Sequence, residues 1–228
     1  MHRAATATDH EVARSLAEAA GALLIALRDD MTASGTSQWA LKDAGDLRSH
    51  EFLVAELARL RPDDAVLSEE GVDDWSRLSA SRVWIVDPLD GTREYGEGRP
   101  DWAVHVALAV DGAPVVGAVS LPAAGRVLDT ASAPAVPPRP SERPLRLAVS
   151  RTRPTMASMV IASALDGELV AMGSAGFKAM AVVTGEVDAY GAAAQPGGDQ
   201  HGRAGAADGV EHHAARGAGG EGRDAAEA

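Results

Sequence analysis

The sequence predicts an α/β chain of the α+β kind, built in layers. Three observations predict it. Apolar residues open the chain at helical spacing. An alternating, turn-punctuated meander follows. Beyond a proline-rich stretch, strands and helices alternate.

The first helix rests on Val12, Leu16, Ala19, Ala20, Leu23, Leu24 and Leu27, which recur at i, i+3 and i+4. Asp9, Glu11 and Glu18 sit among them, where an export signal would have an unbroken apolar run. Thr8 or Asp9 is the expected cap, and Asp29–Asp30 with the polar stretch 32–38 the expected end. A second helix is expected from about Asp46 to Leu60, stopped by Arg61-Pro62. Ala65–Ser68 reads as a short strand and Asp73–Ser81 as a loop or short helix. Arg82–Val86 is a compact β-rich run that Pro88 ends.

The stretches 102–110, 115–121 and 126–129 form the meander, with Asp111-Gly112 and Pro122–Gly125 as its turns. Ala133–Pro144 carries five prolines and reads as a linker. After it come a strand (145–150), a helix opened by Pro154, a strand near 168–172, a helix near 174–184 and a strand at 187–190. The tail, 191–228, is 38 residues long, and 22 of them are Gly or Ala. Val210 is its only branched aliphatic residue, so it cannot bury enough apolar surface to offset its ordering entropy and is expected to be disordered. Its His201, His212 and His213 are read as a polar tract and not as a metal site.

Composition narrows the function. The 228 residues contain no cysteine, which removes disulfides, thiolate metal sites and cysteine nucleophiles together. Thirty-three acids against 21 bases leave a formal charge of −12, so the chain lacks the cationic footprint for a nucleic-acid polymer or an anionic membrane. No apolar run approaches the roughly 20 residues of a spanning helix, and the expected location is the cytoplasm. An acidic chain that handles a phosphorylated small molecule needs a divalent cation to attract the anion.

The chemistry concentrates in Trp84-Ile-Val-Asp87-Pro88-Leu89-Asp90-Gly91-Thr92-Arg93-Glu94-Tyr95. A buried strand delivers two carboxylates, three residues apart, into a turn. Pro88 fixes the backbone between them, and Gly91 lets the main chain approach a ligand closely. A helix starting at Thr92 would point its first N–H groups at a phosphate above the carboxylates. Oxygen-only donors at a strand end favour a hard ion such as Mg²⁺.

The string Asp87-Pro-Leu-Asp-Gly-Thr92 resembles the signature of the inositol monophosphatase superfamily, the lithium-sensitive, magnesium-dependent phosphatases. Two further pieces match in order. Ser68-Glu69-Glu70 resembles the family's Glu-Glu element, and Lys42-Asp43-Ala44-Gly45-Asp46 at a helix start resembles the segment that supplies a catalytic aspartate. Thr-Arg-Glu-Tyr after Gly91 is similar to the 3′(2′),5′-bisphosphate nucleotidase (CysQ) branch. So are Val149-Ser-Arg151, Gly173-Ser-Ala-Gly-Phe-Lys178 and Gly185-Glu-Val-Asp-Ala-Tyr190.

The resemblance implies a layered α-β-α-β-α sandwich of the inositol monophosphatase and sugar phosphatase type. It divides the chain into a metal-binding lobe (1–132), the linker (133–144), a partial second lobe (145–190) and the tail (191–228). It also implies roles. Glu69, Asp87 and the carbonyl of Leu89 would hold one Mg²⁺, and Asp87 and Asp90 a second. Asp46, Glu69 and Thr92 would be catalytic, with Thr92 bonded to Asp46. Gly91, Thr92, Arg151, Ser174 and Lys178 would contact substrate. Arg151 also reads as ordinary surface charge, and Lys178 as a snorkelling lysine. Trp84 and Trp102 read as core, and His105 as structural and not as a ligand.

The implied activity is Mg²⁺-dependent hydrolysis of adenosine 3′,5′-bisphosphate to AMP and phosphate. An inositol-1-phosphate or sugar phosphatase on the same site is the alternative. The partner is a small phosphorylated molecule, and the family pattern is compatible with a homodimer. The resemblance stops at Tyr190. The family's next motif, Trp-Asp-x-Ala-Ala, is absent: no Trp follows Trp102, and Asp199 and Asp208 lie in the Gly/Ala tail. Its loss would weaken the second metal position, which also leaves open a catalytically impaired member or a phosphate-binding relic. A frameshift near codon 190–191 of a GC-rich gene would account for the break. Translating the 3′ end in the other two frames should then recover a Trp-Asp segment.

Overall fold

A computed structural model describes residues 7–72 and 75–191. The tail readings, including the three histidines, Asp199 and Asp208, lie outside the described residues.

Two long helices come first, α1 (Ala7–Ala33) and α2 (Gln38–Leu60). A five-stranded sheet follows in the order β1-β2-β3-β4-β5: β1 (Ala65–Ser68), β2 (Arg82–Asp90), β3 (Ala103–Val110), β4 (Ala113–Leu121) and β5 (Arg126–Asp129). β1 runs parallel to β2, and every other neighbouring pair is antiparallel. One short helix, α3 (Thr92–Gly96), leaves the end of β2. Residues 130–145 carry no helix or strand, as their prolines dictate. A three-stranded parallel sheet, order β7-β6-β8, then holds β6 (Arg146–Ser150), β7 (Glu168–Met172) and β8 (Ala189–Tyr190), with α4 (Met156–Ala164) and α5 (Ala175–Val183) connecting them.

The main core lies between α1, α2 and the larger sheet. Leu24, Leu53, Leu57, Trp84, Trp102, Val104, Val106 and Leu108 are fully enclosed there. Each such aliphatic side chain contributes roughly 1.5–3 kcal/mol. The small residues Ala13, Ala17 and Ala20 let α1 lie close to the strands. At Gly21 the approach is closest: a Cβ would stand 2.7 Å from Pro122 Cγ. Trp84 and Trp102 are core, as expected.

Several boundaries move for tertiary reasons. Asp9 is not a cap. It is buried inside α1, where its carboxylate meets Arg61 Nε at 2.9 Å and Arg82 at 3.2 Å. α1 runs past the Asp29–Asp30 pair and ends at Ala33, inside the polar stretch 32–38 expected to close it, with the turn at Gly35. α2 begins eight residues before Asp46, capped by Ser37, whose Oγ accepts from Ala40 N. Asp46 is therefore in mid-helix and not at a helix start. Pro88 does not end β2 either. The strand continues through a bulge between Asp87 and Asp90, which accommodates the missing N–H. The helix expected from Pro154 is capped by Thr155, whose Oγ1 accepts from Ser158 N.

A buried charge network ties the two helices to β2. Arg82 donates from Nε to Asp64 Oδ1 (2.9 Å), and Trp84 Nε1 donates to Asp64 Oδ2 (2.9 Å). Asp64→Ala is expected to destabilise the chain by about 3 kcal/mol or more, because it strands an indole N–H and leaves Arg82 underpaired in the interior. Urea denaturation checks it: the midpoint should fall with the slope unchanged.

Candidate active site

The site lies where β1 ends beside β2. Their parallel register pairs Ser68 with Val86, and Glu69 N donates to Val86 O (3.2 Å), so Glu69, just past β1, and Asp87, still within β2, stand as neighbours. Leu89 N donates to Asp87 Oδ1 (3.2 Å), and Ser49 Oγ of α2 donates to Pro88 O (2.7 Å), which holds the turn from below. The bulge then presents Asp90 three residues on. Gly91 follows with φ 96°, a left-handed conformation that L side chains rarely adopt.

Thr92 Oγ1 stands 3.2 Å from Leu89 O and 3.3 Å from Asp46 Oδ1, so its single proton can serve either oxygen. Gly45 makes this meeting possible: a Cβ there would press on Tyr95 Cε1 at 2.7 Å and Leu89 Cδ2 at 2.9 Å. α2 thus lies flat against the turn, and Asp46 reaches Thr92 from mid-helix.

Charge crowding is visible in the proton affinities. Burial, then repulsion from Glu70, raises Asp46 to about 7. Burial, then the charge of Asp90, raises Asp87 to about 8. Burial pushes Asp90 the same way, but hydrogen bonds from His105, Gly176 and Ser174 outweigh it and bring Asp90 below the ordinary carboxylate range. His105 is raised, since the pull of Asp90 overcomes its burial. Two carboxylates this close cannot both ionise cheaply without a cation between them.

A prediction follows for the metal-free chain. Asp87 and Asp46 hold protons more tightly when folded than when unfolded, so their contribution is complete below about pH 4 and is lost as pH rises through 7 to 8. The melting temperature of wild type should therefore fall more steeply between pH 5 and 8.5 than that of Asp87→Asn. Saturating Mg²⁺ should remove most of the difference.

Above these groups opens a cavity of about 310 Å³, with Thr92, Arg93, Ser150, Arg151, Arg153 and Ser174 on its walls. The second sheet is joined to the first around it. Asp90 Oδ2 accepts from Ser174 Oγ (2.8 Å) and Gly176 N (2.6 Å), and Asp101 Oδ2 accepts from Gly173 N (2.7 Å).

The structure brings Asp46, Glu69, Asp87, Leu89, Asp90, Gly91 and Thr92 into one place. Ser174 is at its rim, capping α5 by accepting from Phe177 N (2.8 Å). Arg151 lines the cavity, but its guanidinium is held by Glu94 Oε1 (2.9 Å) and Glu97 Oε2 (2.6 Å). It is neither loose surface charge nor a free phosphate clamp. Lys178 is not on the cavity wall. Its Nζ is buried, donating to the carbonyls of Gly173 and Ser174 and lying 5.0 Å from the Tyr190 ring, and it does not snorkel.

Sequence reasoning missed three residues. Arg93 and Arg153 point no charge at any acid among the described residues, yet both line the cavity. His105, read as structural, has Nε2 3.1 Å from Asp90 Oδ2. Asp87, Asp90 and His105 present donor atoms that all lie within 4.8 Å of one another, a group that could hold a metal ion. Strand alternation assigns His105 a face but not its neighbour across the sheet.

The model of the Inositol monophosphatase family matches residues 6–196. The chain belongs to the inositol monophosphatase family. Among its relatives within that family, it is 49% identical over 197 residues to the 3′-phosphoadenosine 5′-phosphate phosphatase of Mycobacterium leprae, covering 80% of this chain and 71% of that protein. The protein of the same name from Mycobacterium tuberculosis is 48% identical over 181 residues, covering 75% of this chain and 66% of the relative. The chain thus spans about two thirds of these relatives' length. Among solved structures, Mycobacterium tuberculosis SuhB superposes with a TM-score of 0.64 at 24% identity, covering 81% of this chain and 76% of that one. Likeness at that identity shows the layered inositol monophosphatase fold expected from the sequence.

Proposed function

We propose that the chain is a Mg²⁺-dependent phosphomonoesterase that removes the 3′-phosphate of adenosine 3′,5′-bisphosphate, giving AMP and inorganic phosphate. The observation that carries this reading is the convergence of Glu69, Asp87, the Leu89 carbonyl and Asp90 beside the Asp46–Thr92 pair, under a cavity walled by arginines. The names of the two mycobacterial relatives support the substrate.

The donor set fits a hard divalent cation: Glu69, Asp87, Leu89 O and Asp90 offer only oxygen, and burial with the charge of Asp90 pushes Asp87 up to about 8. Glu69, Asp87 and Leu89 O would hold one ion, and Asp87 with Asp90 a second. When bound, such ions neutralise phosphate charge and acidify water at the site. The chain's own groups do the rest. Thr92 Oγ1 accepts a hydrogen bond from the incoming water while donating one to Asp46 Oδ1. As the P–O bond to the sugar breaks, the Thr92 proton passes to the Asp46 carboxylate and the water's proton replaces it on Thr92. The sugar oxygen leaves with a proton from solvent.

Arg93 and Arg153 favour a substrate with a second anionic group over a monophosphate. Inositol-1-phosphate remains the second reading, supported by a 42% identity over 90 residues to an inositol-1-monophosphatase of Mycobacterium leprae. Among the described residues no helix is long and apolar enough to cross a membrane. A cytoplasmic location is part of this reading. The test is phosphate release from adenosine 3′,5′-bisphosphate and inositol-1-phosphate in parallel, with Mg²⁺ or with EDTA. Mg²⁺-dependent release favouring the bisphosphate is expected. No release from either by a folded chain would overturn the reading.

A further inference from the structure

The helix α4 is apolar on nearly every side, yet it lies at the surface. Its nine residues, Met156–Ala164, include no charged side chain, and only Ser158 and Ala162 are buried. Those two small residues seat it closely on the second sheet: a Cβ at Gly191 would collide with Ser158 Oγ. At about 100° per residue, Val160 then points straight outward, opposite the buried pair, and it is 61% exposed. Met156 (72%) stands one turn before it, with Ile161 beside it. Leu165 and Leu169 carry the apolar surface past the helix end to the edge strand β7. A helix with no polar face is ordinarily enclosed, and monomers rarely expose an apolar patch beyond a few hundred Å².

Residues 192–228 do not supply a cover: they contain no Leu, Ile, Met, Phe, Trp or Tyr, and Val210 is their only branched aliphatic side chain. A lipid surface is a poor fit, because a helix that lies on a membrane carries Lys or Arg on its polar face and α4 has neither. The charges at its two ends fit a second copy. Arg153 precedes the helix, at the end where the backbone dipole is also positive. Asp166 and Glu168 follow it, at the negative end. Two copies related by a two-fold axis run antiparallel across Val160, so each positive end lies beside the negative end of the other copy. Parallel helices would set like beside like. Arg153 keeps its place on the cavity wall, since attraction between the ends needs no direct ion pair. Ala157, Ser163 and Ala164 are exposed around Val160 and are small, so two such helices can approach to the short end of the usual range of about 8–10 Å.

We infer that the chain forms a two-fold dimer in which α4 packs antiparallel against α4 of a second copy, with Val160 at the axis. Such a contact uses the same surface on both copies, so it closes at two and does not propagate. The patch is modest in area and association costs freedom of motion, so the dissociation constant is expected on the order of 1–100 μM. Residues 150–153, which line the cavity, lead directly into α4, so the cavity wall and the dimer contact are consecutive in the chain. The inference is independent of the substrate and of the metal positions.

The experiment is sedimentation velocity of the full chain from about 1 to about 500 μM, where monomer should give way to dimer. Val160→Glu should raise the dissociation constant at least about thirtyfold, since it buries a charge at the centre of the contact. Val160 is exposed in the single chain, so this variant should melt like wild type in dilute solution. The chain has no cysteine, so Val160→Cys sets one thiol per copy at the axis. Oxidation should link it into a covalent dimer faster than Trp39→Cys, a control at an exposed position on α2. Asp166→Lys with Glu168→Lys should weaken the dimer about tenfold at low salt and less at high salt. Monomer at every concentration leaves α4 to a different protein and overturns the inference. So does a dimer that survives Val160→Glu, or assembly that grows beyond two copies. Cross-linking at Trp39→Cys as fast as at Val160→Cys, or a charge-reversed pair as tight as wild type at low salt, overturns it as well.

Discussion

Asp87→Asn is expected to reduce Mg²⁺-dependent phosphate release by at least about 10³-fold, the several kcal/mol that a metal centre supplies to charge stabilisation. Asp87 is the one side chain that the proposed reading places on both ions. It stands within β2 beside Glu69, and its Oδ1 accepts from Leu89 N. Asn keeps the size and still accepts that hydrogen bond, so the turn should survive. What disappears is one negative charge at the centre of the cluster. The fold should not suffer, because a carboxyl that holds its proton up to about pH 8 is an unfavourable anion in the metal-free chain. The variant should therefore melt no lower than wild type at pH 8 without metal, while its Mg²⁺ affinity collapses. Calorimetric titration of Mg²⁺ and a thermal melt on the same sample separate these effects. Retained turnover in a folded Asp87→Asn would remove this residue from the metal site.

Asp46→Asn and Thr92→Ala should each lower kcat by roughly 10²–10⁴-fold, the range for a positioned general acid or base, with KM changed little. The two residues are one device, joined at 3.3 Å. Losing either should cost nearly as much as losing both, and the double variant tests this. Additive losses would mean that they act separately. Asn at 46 can still accept from Thr92, so the helix contact persists while the base is gone. The acidic limb of the rate profile, expected from a base whose affinity in the metal-free chain is about 7, should be absent from what activity remains. This pair also explains why Gly45 precedes Asp46. Gly45→Ala should act as a weaker copy of Asp46→Asn, since a Cβ pressing on Tyr95 and Leu89 lifts α2 away from the turn.

The second sheet has a different character. It is small, and its outer helix α4 leaves Met156, Val160 and Ile161 exposed, as is Leu165 just past its end. Its attachment to the first sheet depends on polar contacts at the site itself, through Asp90, Asp101 and Arg151. Binding and lobe attachment therefore share residues. Asp90 serves α5 as a cap partner and, in the proposed reading, a metal as ligand.

How much of this was written locally can be told residue by residue. The turn from Asp87 to Thr92 was legible because a strand, a proline and a glycine act on their immediate neighbours, and the spacing of the two carboxylates needs no distant contact. The long helices and the meander were legible because burial of one face imposes a period of 3.6 or 2 on the chain. Helix ends were not. Asp9 looks like a cap, and only its burial against Arg61 and Arg82, from α2 and β2, makes it an ion-pair partner. Arg151 and Lys178 looked like substrate contacts, because a cation's purpose depends on which acids or carbonyls the fold brings within 3 Å. Glu94 and Glu97 captured one, and the carbonyls of Gly173 and Ser174 the other. His105 went the opposite way. By itself the sequence determined which residues could do chemistry and the turn that carries two of them. Only the tertiary structure decided which cations meet acids and which histidine meets one, since such pairings join residues 15 to 86 positions apart that no local pattern relates.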